Sequence, residues 1–245
     1  MEKIHFVSLF GVDLDYDIMV PWATHYTAMN YDTYTVFLHS VNHATARYET
    51  VRDEFVRAGF YVIDAPTVPY TTQMRNELLE NFSRQLNPLD YMCVADSDEF
   101  HITGGWVCNF RDLILSCDCL YGTLVDRWAD SLHEAKASIS LDEQYPYEGD
   151  VFSIVREKSA DPEKSRWRVP NANKILAARA GLPVSHAGSH VLYSKPENLK
   201  ERRGCIVNHF KWRHTIIDRL KTKWYHHDGF DRAVMEFFNV EGVPA

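Results

Sequence analysis

Two aspartates one residue apart, Asp96 and Asp98, stand with Glu99 at the end of the apolar run at residues 91–95. Carboxylates two apart at a strand end can turn toward one hard cation. Mg²⁺ and Mn²⁺ take oxygen ligands and usually keep waters and substrate phosphates in their shells. Read alone, the triplet also describes a solvated acidic turn or a helix cap, because D-x-D is short. Late in the chain, the segment CIVNHFKWR delivers His209, Lys211 and Trp212 together. A neutral imidazole could complete a metal shell, and the Lys211 ammonium could neutralise a leaving diphosphate. A histidine satisfied by local hydrogen bonds is the plainer alternative. Arg75, in TTQMRNELLENF, could reach a phosphate from the start of a helix, where the dipole favours anions. On an amphipathic helix it could equally face solvent.

The elements that must carry these residues follow from hydrophobic period. Residues 4–10, 34–38, 60–63 and 91–95 are apolar, β-rich runs. Between them, residues 15–30, 44–58 and 71–86 have helical spacing, with Gly59 and Pro88 as stops. A β-α-β-α-β-α-β order implies right-handed crossovers and a largely parallel sheet with helices on both faces. Ligands of such sheets bind outside the carboxyl ends of the strands, which is where the Asp96 triplet falls. After residue 100 the regularity fades. A short helix is expected over 110–120, a strand over 121–125, and polar, loop-rich chain over 131–173. Strands at 189–193 and 206–212 and helices at 215–225 and 231–238 complete the reading. The expectation is one α/β domain over residues 1–245.

Composition narrows the function classes. The 245 residues include 34 acidic and 26 basic side chains, a formal net charge of −8. That sign disfavours non-specific nucleic-acid binding and anionic membrane surfaces. No run approaches the ~20 apolar residues of a membrane span. The amino terminus turns acidic before a signal-peptide core forms, so a cytoplasmic protein is expected. The five cysteines lack common zinc spacing and are expected as reduced thiols.

The segments FGVDLDYDIMVPWATHY, ADSDEF and VNHFKWR, in this order, resemble glycosyltransferases of the GT-A fold. The closest likeness is to the family 2-like group with a D-x-DEF motif and a late histidine-aromatic-basic motif. LVDRWAD and GSHVL also resemble that group. The resemblance implies a Rossmann-like GT-A sheet. Residues 1–100 would form the nucleotide-sugar half and 101–245 the acceptor half. It further implies inverting transfer from a UDP-, GDP- or dTDP-linked sugar to a hydroxyl of a glycan or other acceptor, with Mn²⁺ or Mg²⁺, in surface glycan or polysaccharide synthesis. The metal ligands would be Asp98 and His209, with Asp96 on the metal or toward the ribose. Lys211 and Arg75 would contact phosphates. Asp13, Asp15 and Asp17 stand where the family often carries a glutamate motif, and Asp15 becomes a donor contact.

Inversion needs a carboxylate base on the acceptor side. Asp126, after the strand at 121–125, is the first candidate, with Asp130, Asp142 and Glu143 as alternatives. An ion pair with Arg127 or a strand-end cap would equally account for Asp126. A metal-dependent phosphohydrolase or nucleotidyltransferase would also use an Asp pair, and a non-catalytic sugar-binding relative would keep the fold alone. A phosphatase forming an aspartyl-phosphate would carry its D-x-D after the first strand, and a dinucleotide-binding dehydrogenase would carry G-x-G-x-x-G there.

Overall fold

The first strand, β1 (Ile4–Gly11), sends Ile4, Phe6 and Phe10 into one apolar layer and Val7 and Leu9 into another, so both faces of its sheet are covered. The computed structural model describes residues 2–102, 109–136, 138–159, 172–182, 192, 196–217 and 228–240. In it, β1 leads into the short helix α1 (Val12–Asp15), a 3-10 turn (Tyr16–Ile18) and α2 (Met19–Thr27). The one helix expected over 15–30 is therefore broken. Pro21 has no N–H to donate to the carbonyl four residues back. The helix restarts with Pro21 in its first turn, where that donor would be unused anyway.

Next come β2 (Thr33–His39), α3 (Ala46–Arg57), β3 (Tyr61–Asp64), α4 (Thr72–Ser83) and β4 (Tyr91–Asp96), close to the expected bounds. Thr45 and Thr71 cap α3 and α4, their hydroxyls accepting from the N–H groups of Tyr48 and Met74 at 3.1 Å. The four strands pair in parallel in the order β3-β2-β1-β4. α2 and α3 cover one face through Trp22, Tyr26 and Phe55, and α4 covers the other through Met74 and Leu79. The chain winds outward from β1 to β3 and returns to β4. This leaves a crevice at the carboxyl ends of β1 and β4, where strand order reverses.

The second half completes one nine-stranded sheet. It contains β5 (Glu99–Ile102), α5 (Phe110–Leu115), β6 (Cys119–Trp128), α6 (Leu141–Gln144), β7 (Tyr147–Gly149), α7 (Val151–Lys158), β8 (Asn173–Arg179), β9 (Glu201–His209) and α8 (Asp228–Phe237). β8 lies antiparallel between β4 and β6, and β9 runs parallel to β6. β5 follows β4 after two residues, yet it pairs with β9 at the far end of the strand order. The sheet must curl for this, and the Asp96–Glu99 turn joins the interior strand β4 to the β5 edge. The expected α/β, Rossmann-like architecture with helices on both faces is present, its antiparallel pairings gathered in the second half.

The segment 131–173, expected as loop, holds three elements in its described part. α7 buries Val151, Phe152 and Val155 against Trp212, Val234 and Phe238, a second small core. The strand expected at 189–193 and most of the helix expected at 215–225 lie outside the described residues. Cys93, Cys117, Cys119 and Cys205 are free and buried, as expected. Among the described residues no helix is long and apolar enough to cross a membrane.

Candidate functional site

β4 ends at Asp96 and β5 begins at Glu99, so the acidic triplet is a tight turn at the crevice. Each of its residues is tied down by a different part of the chain. Trp22 Nε1 donates to the Asp96 carbonyl at 3.2 Å, and the Tyr26 hydroxyl donates to the Glu99 carbonyl at 3.0 Å. The Phe210 N–H donates to the Asp98 carbonyl at 2.8 Å. The Ser97 hydroxyl donates to Asp15 at 2.5 Å, and the Asp96 N–H donates to the Glu99 carboxylate at 3.0 Å. A turn held this way keeps its side chains fixed before any ligand arrives. Removing one hydroxyl should be felt modestly: Tyr26→Phe leaves a buried carbonyl short of a donor and should destabilise by about 1 kcal/mol, read as a lower denaturation midpoint with unchanged slope.

The Asp96 carboxylate meets two cations. Arg75 donates to its Oδ1 from Nε (2.8 Å) and Nη2 (2.5 Å), and Lys174 Nζ donates to its Oδ2 at 2.6 Å. Burial resists its ionisation, but Arg75 and Lys174 outweigh that and hold it well below the usual carboxylate range. Two expectations change here. Arg75 is buried against Asp96 rather than reaching for a phosphate or facing solvent. Asp96, already neutralised on both oxygens, is a poor ligand for a further cation. Its side chain is still 32% exposed, so it retains lone pairs for a hydroxyl donor.

Asp98 faces a different partner. His209 Nε2 lies 3.5 Å from Asp98 Oδ2, while His209 Nδ1 donates to Asp126 Oδ1 at 2.7 Å. Strand register produces this: His209 pairs across β9 with Glu99 of β5 on one side and Asp126 of β6 on the other. Burial works against charge on the ring, but Asp98 and Asp126 prevail and push its pKa up to about 10. The stabilisation this represents is complete below the unfolded value near 6.5 and is lost as pH rises through about 10.

Asp126 does not stand as a base should. It is 7% exposed, its second oxygen accepts from the Val151 N–H at 3.1 Å, and it is absent from the crevice wall. Its alternatives are no better placed: Asp142 pairs with Arg127, Asp130 accepts from the Tyr147 hydroxyl, and neither they nor Glu143 line the crevice.

Asp15 lines the crevice and is held by Arg213 Nη2 at 2.5 Å, while Arg213 Nη1 pairs with Asp17. Lys211 also lines it, with Nζ 4.9 Å from the centre of the Phe152 ring and 5.3 Å from that of Trp212. The crevice is about 500 Å³ in volume, and Gly11, Asp13, His39, Val41 and Tyr70 line it together with Asp98 and His209. Lys174, Arg213 and Glu99 were missed as site residues by the sequence reading. Lys174 lies in NKILAAR, a short run whose strand character shows only once β4 and β6 flank it.

Asp98 and His209 could hold a divalent cation, which would take the place of the Nε2 proton of the imidazolium. Two ligands about 2.1 Å from one ion at right angles stand roughly 3 Å apart, near the separation found here. Among the described residues no three His, Cys, Asp or Glu side chains gather into a metal site. Water or ligand oxygens would have to supply the rest of the shell.

No family model matches the chain, and no curated protein matches it. Solved structures with a similar backbone include mannose-6-phosphate isomerase from Helicobacter pylori (11% identity, TM-score 0.39, 96% of this chain on 79% of that one). A second is 4-diphosphocytidyl-2C-methyl-D-erythritol synthase (12%, 0.37, 81% on 96%). A third is S. aureus TarS (10%, 0.45, 97% on 43%), of which this chain spans less than half. At these scores the likenesses assign no activity.

Proposed function

We propose that the chain is an inverting glycosyltransferase. In this reading Asp98 and His209 would hold a divalent cation beside the diphosphate of a nucleotide-sugar donor, whose sugar passes to a hydroxyl acceptor. The observation that carries the reading is that Asp98 and His209 lie side by side, 3.5 Å apart, in the lining of a crevice at the carboxyl ends of parallel strands. A nucleoside fits against Gly11, His39 and Tyr70, and the exposed part of Asp96 accepts from ribose hydroxyls. Asp15, fixed by Arg213, stands beside the donor, and Lys211 swings from its aromatic neighbours toward the phosphates. The cation, when bound, supplies positive charge to the leaving diphosphate. Residues 1–100 provide most of the donor contacts, and residues 101–245 provide His209, Lys211 and the acceptor side.

In this reading Asp126 orients the imidazole instead of abstracting a proton. Its bond to Nδ1–H leaves Nε2 directed at the cation, an outer partner of the kind whose loss costs roughly 10–100-fold in metal affinity. Asp126→Asn should therefore weaken Mn²⁺ binding by that factor, with turnover largely restored at saturating Mn²⁺. A base would behave otherwise: turnover would stay about 10²–10⁴-fold down however much Mn²⁺ is added.

A panel of UDP-, GDP- and dTDP-sugars, read by thermal shift with and without Mn²⁺, tests the function. One nucleotide class should raise the melting temperature only with the cation, and release its nucleoside diphosphate when acceptor sugars are supplied. Release of pyrophosphate from a nucleoside triphosphate would instead establish a nucleotidyltransferase. No shift with any donor would remove the transferase reading.

A further inference from the structure

Lys174 is among the most deeply buried charged side chains described, with 1% of its side chain exposed. Its Nζ bridges Asp96 Oδ2 and Glu99 Oε1, each at 2.6 Å. The antiparallel register that pairs Met92 with Ala178 and Cys93 with Ala177, carried three residues further, sets Lys174 opposite Asp96. Glu99 is equally enclosed, and its second oxygen accepts the Asp96 N–H at 3.0 Å. Lys174 and Glu99 thus grip Asp96 by side chain and backbone, while Arg75 occupies the other carboxylate oxygen.

Burying an ammonium between two carboxylates is a weak way to gain stability, since well-packed neutral residues often do as well. Its value here is directional. We infer that Lys174 is a positioning residue: with Glu99 it locks Asp96 toward the donor's ribose hydroxyls and withholds it from the cation, which is left to Asp98 and His209. This rests on the transferase reading above. It assigns the two aspartates of the triplet to separate tasks, and the lock sits on a strand outside the triplet.

The test removes the lock without unbalancing charge. Lys174→Met alone leaves Glu99 buried without a cation and Asp96 with Arg75 alone, and should melt roughly 10 °C lower. Lys174→Met with Glu99→Gln removes one charge of each sign, keeps an acceptor for the Asp96 N–H, and should melt within a few degrees of the parent. Three quantities are then measured by calorimetry on both proteins: Mn²⁺ affinity without nucleotide, and the affinities of UDP and GDP against their 2′-deoxy counterparts with Mn²⁺.

The expected result is a parent that prefers the ribonucleotide and a double variant that loses roughly tenfold of that preference. The double variant should bind Mn²⁺ alone at least as tightly as the parent, because Asp96 Oδ2 is released to it. General loosening of the site would instead lower Mn²⁺ and nucleotide binding together, and that result overturns the lock. So does an unchanged ribose preference in the double variant. Glu99→Gln alone leaves the ammonium on Asp96 and an amide oxygen for its N–H, so it should lose only a small part of the preference; a full tenfold loss there assigns the lock to Glu99 alone and overturns the inference for Lys174, even if the double variant fails to fold. With dTDP titrated alongside, a parent that binds none of UDP, GDP and dTDP with Mn²⁺ removes the transferase reading, and the lock with it; a parent that binds dTDP alone keeps that reading and overturns the lock.

Discussion

Asp98→Ala is expected to abolish cation-dependent nucleotide binding while leaving the fold intact. The carboxylate faces His209 Nε2 at 3.5 Å, and neither Asp96 nor Asp126 can take its place. Asp96 is neutralised by Arg75 and Lys174, and Asp126 is turned to His209 Nδ1 and the Val151 N–H. Losing an outer partner of a metal site costs roughly 10–100-fold, so loss of this direct ligand should exceed that range. The backbone is spared, because Phe210 bonds to the Asp98 carbonyl and alanine keeps it. Titration of Mn²⁺ in the presence of UDP or GDP, beside a melting curve, gives the answer. Full turnover in Asp98→Ala that still requires the cation would exclude Asp98 as a ligand.

A large stability loss should come from Arg213→Met. Its guanidinium is 1% exposed and reaches Asp15, Asp17 and the Phe210 carbonyl. Burial disfavours its charge, and the two aspartates more than compensate. Removing the cation leaves both carboxylates buried without it, at a cost of about 3–5 kcal/mol. In a chain of this length that corresponds to a fall of roughly 10 °C in melting temperature. Arg213→Met combined with Asp15→Asn and Asp17→Asn should recover most of the loss, since neutral groups no longer need the guanidinium. Equal melting temperatures for the parent and Arg213→Met would show that the aspartates find other partners.

Hydrophobic period carried the first hundred residues well. Each of β1 to β4 and both α3 and α4 stand within a few residues of where the apolar runs put them, because strands buried on both faces, as β1 and β4 are, must be apolar nearly throughout. Period failed where tertiary pairing decides. β5 is four residues long, β7 is three, and β8 is a short alanine-containing run, so each takes its conformation from the strands beside it. α7 was hidden because its apolar face is only Val151, Phe152 and Val155 between polar flanks.

At the site, the types of Asp96, Asp98 and His209 were legible, and so was their closeness to one sheet edge. Which oxygen each would spend on which neighbour was not. Lys174 and Arg213 are single cations far along the chain, and a sequence carries no mark of the carboxylate each will meet. Asp126 shows the same limit from the other side. It was expected just after a strand at 121–125, whereas β6 runs on to Trp128 and holds Asp126 within it, and the parallel register that gives it to His209 exists only in the sheet.

The counter-charges of the crevice also bear on the order in which a growing chain can settle. Asp15, Asp17, Asp96 and Glu99 are all made within the first hundred residues, and among the cations paired with them only Arg75 is made with them. Lys174 and Arg213 leave the ribosome much later, after β6 is complete. Until then, burying those carboxylates leaves them short of counter-charge, which a partly folded domain can seldom bear. The first four strands can line up early, since their contacts are apolar and all lie within the first hundred residues. The Asp96–Glu99 turn must stay hydrated until the last third of the chain arrives. The two halves therefore share one folding event, and the crevice is among its final products.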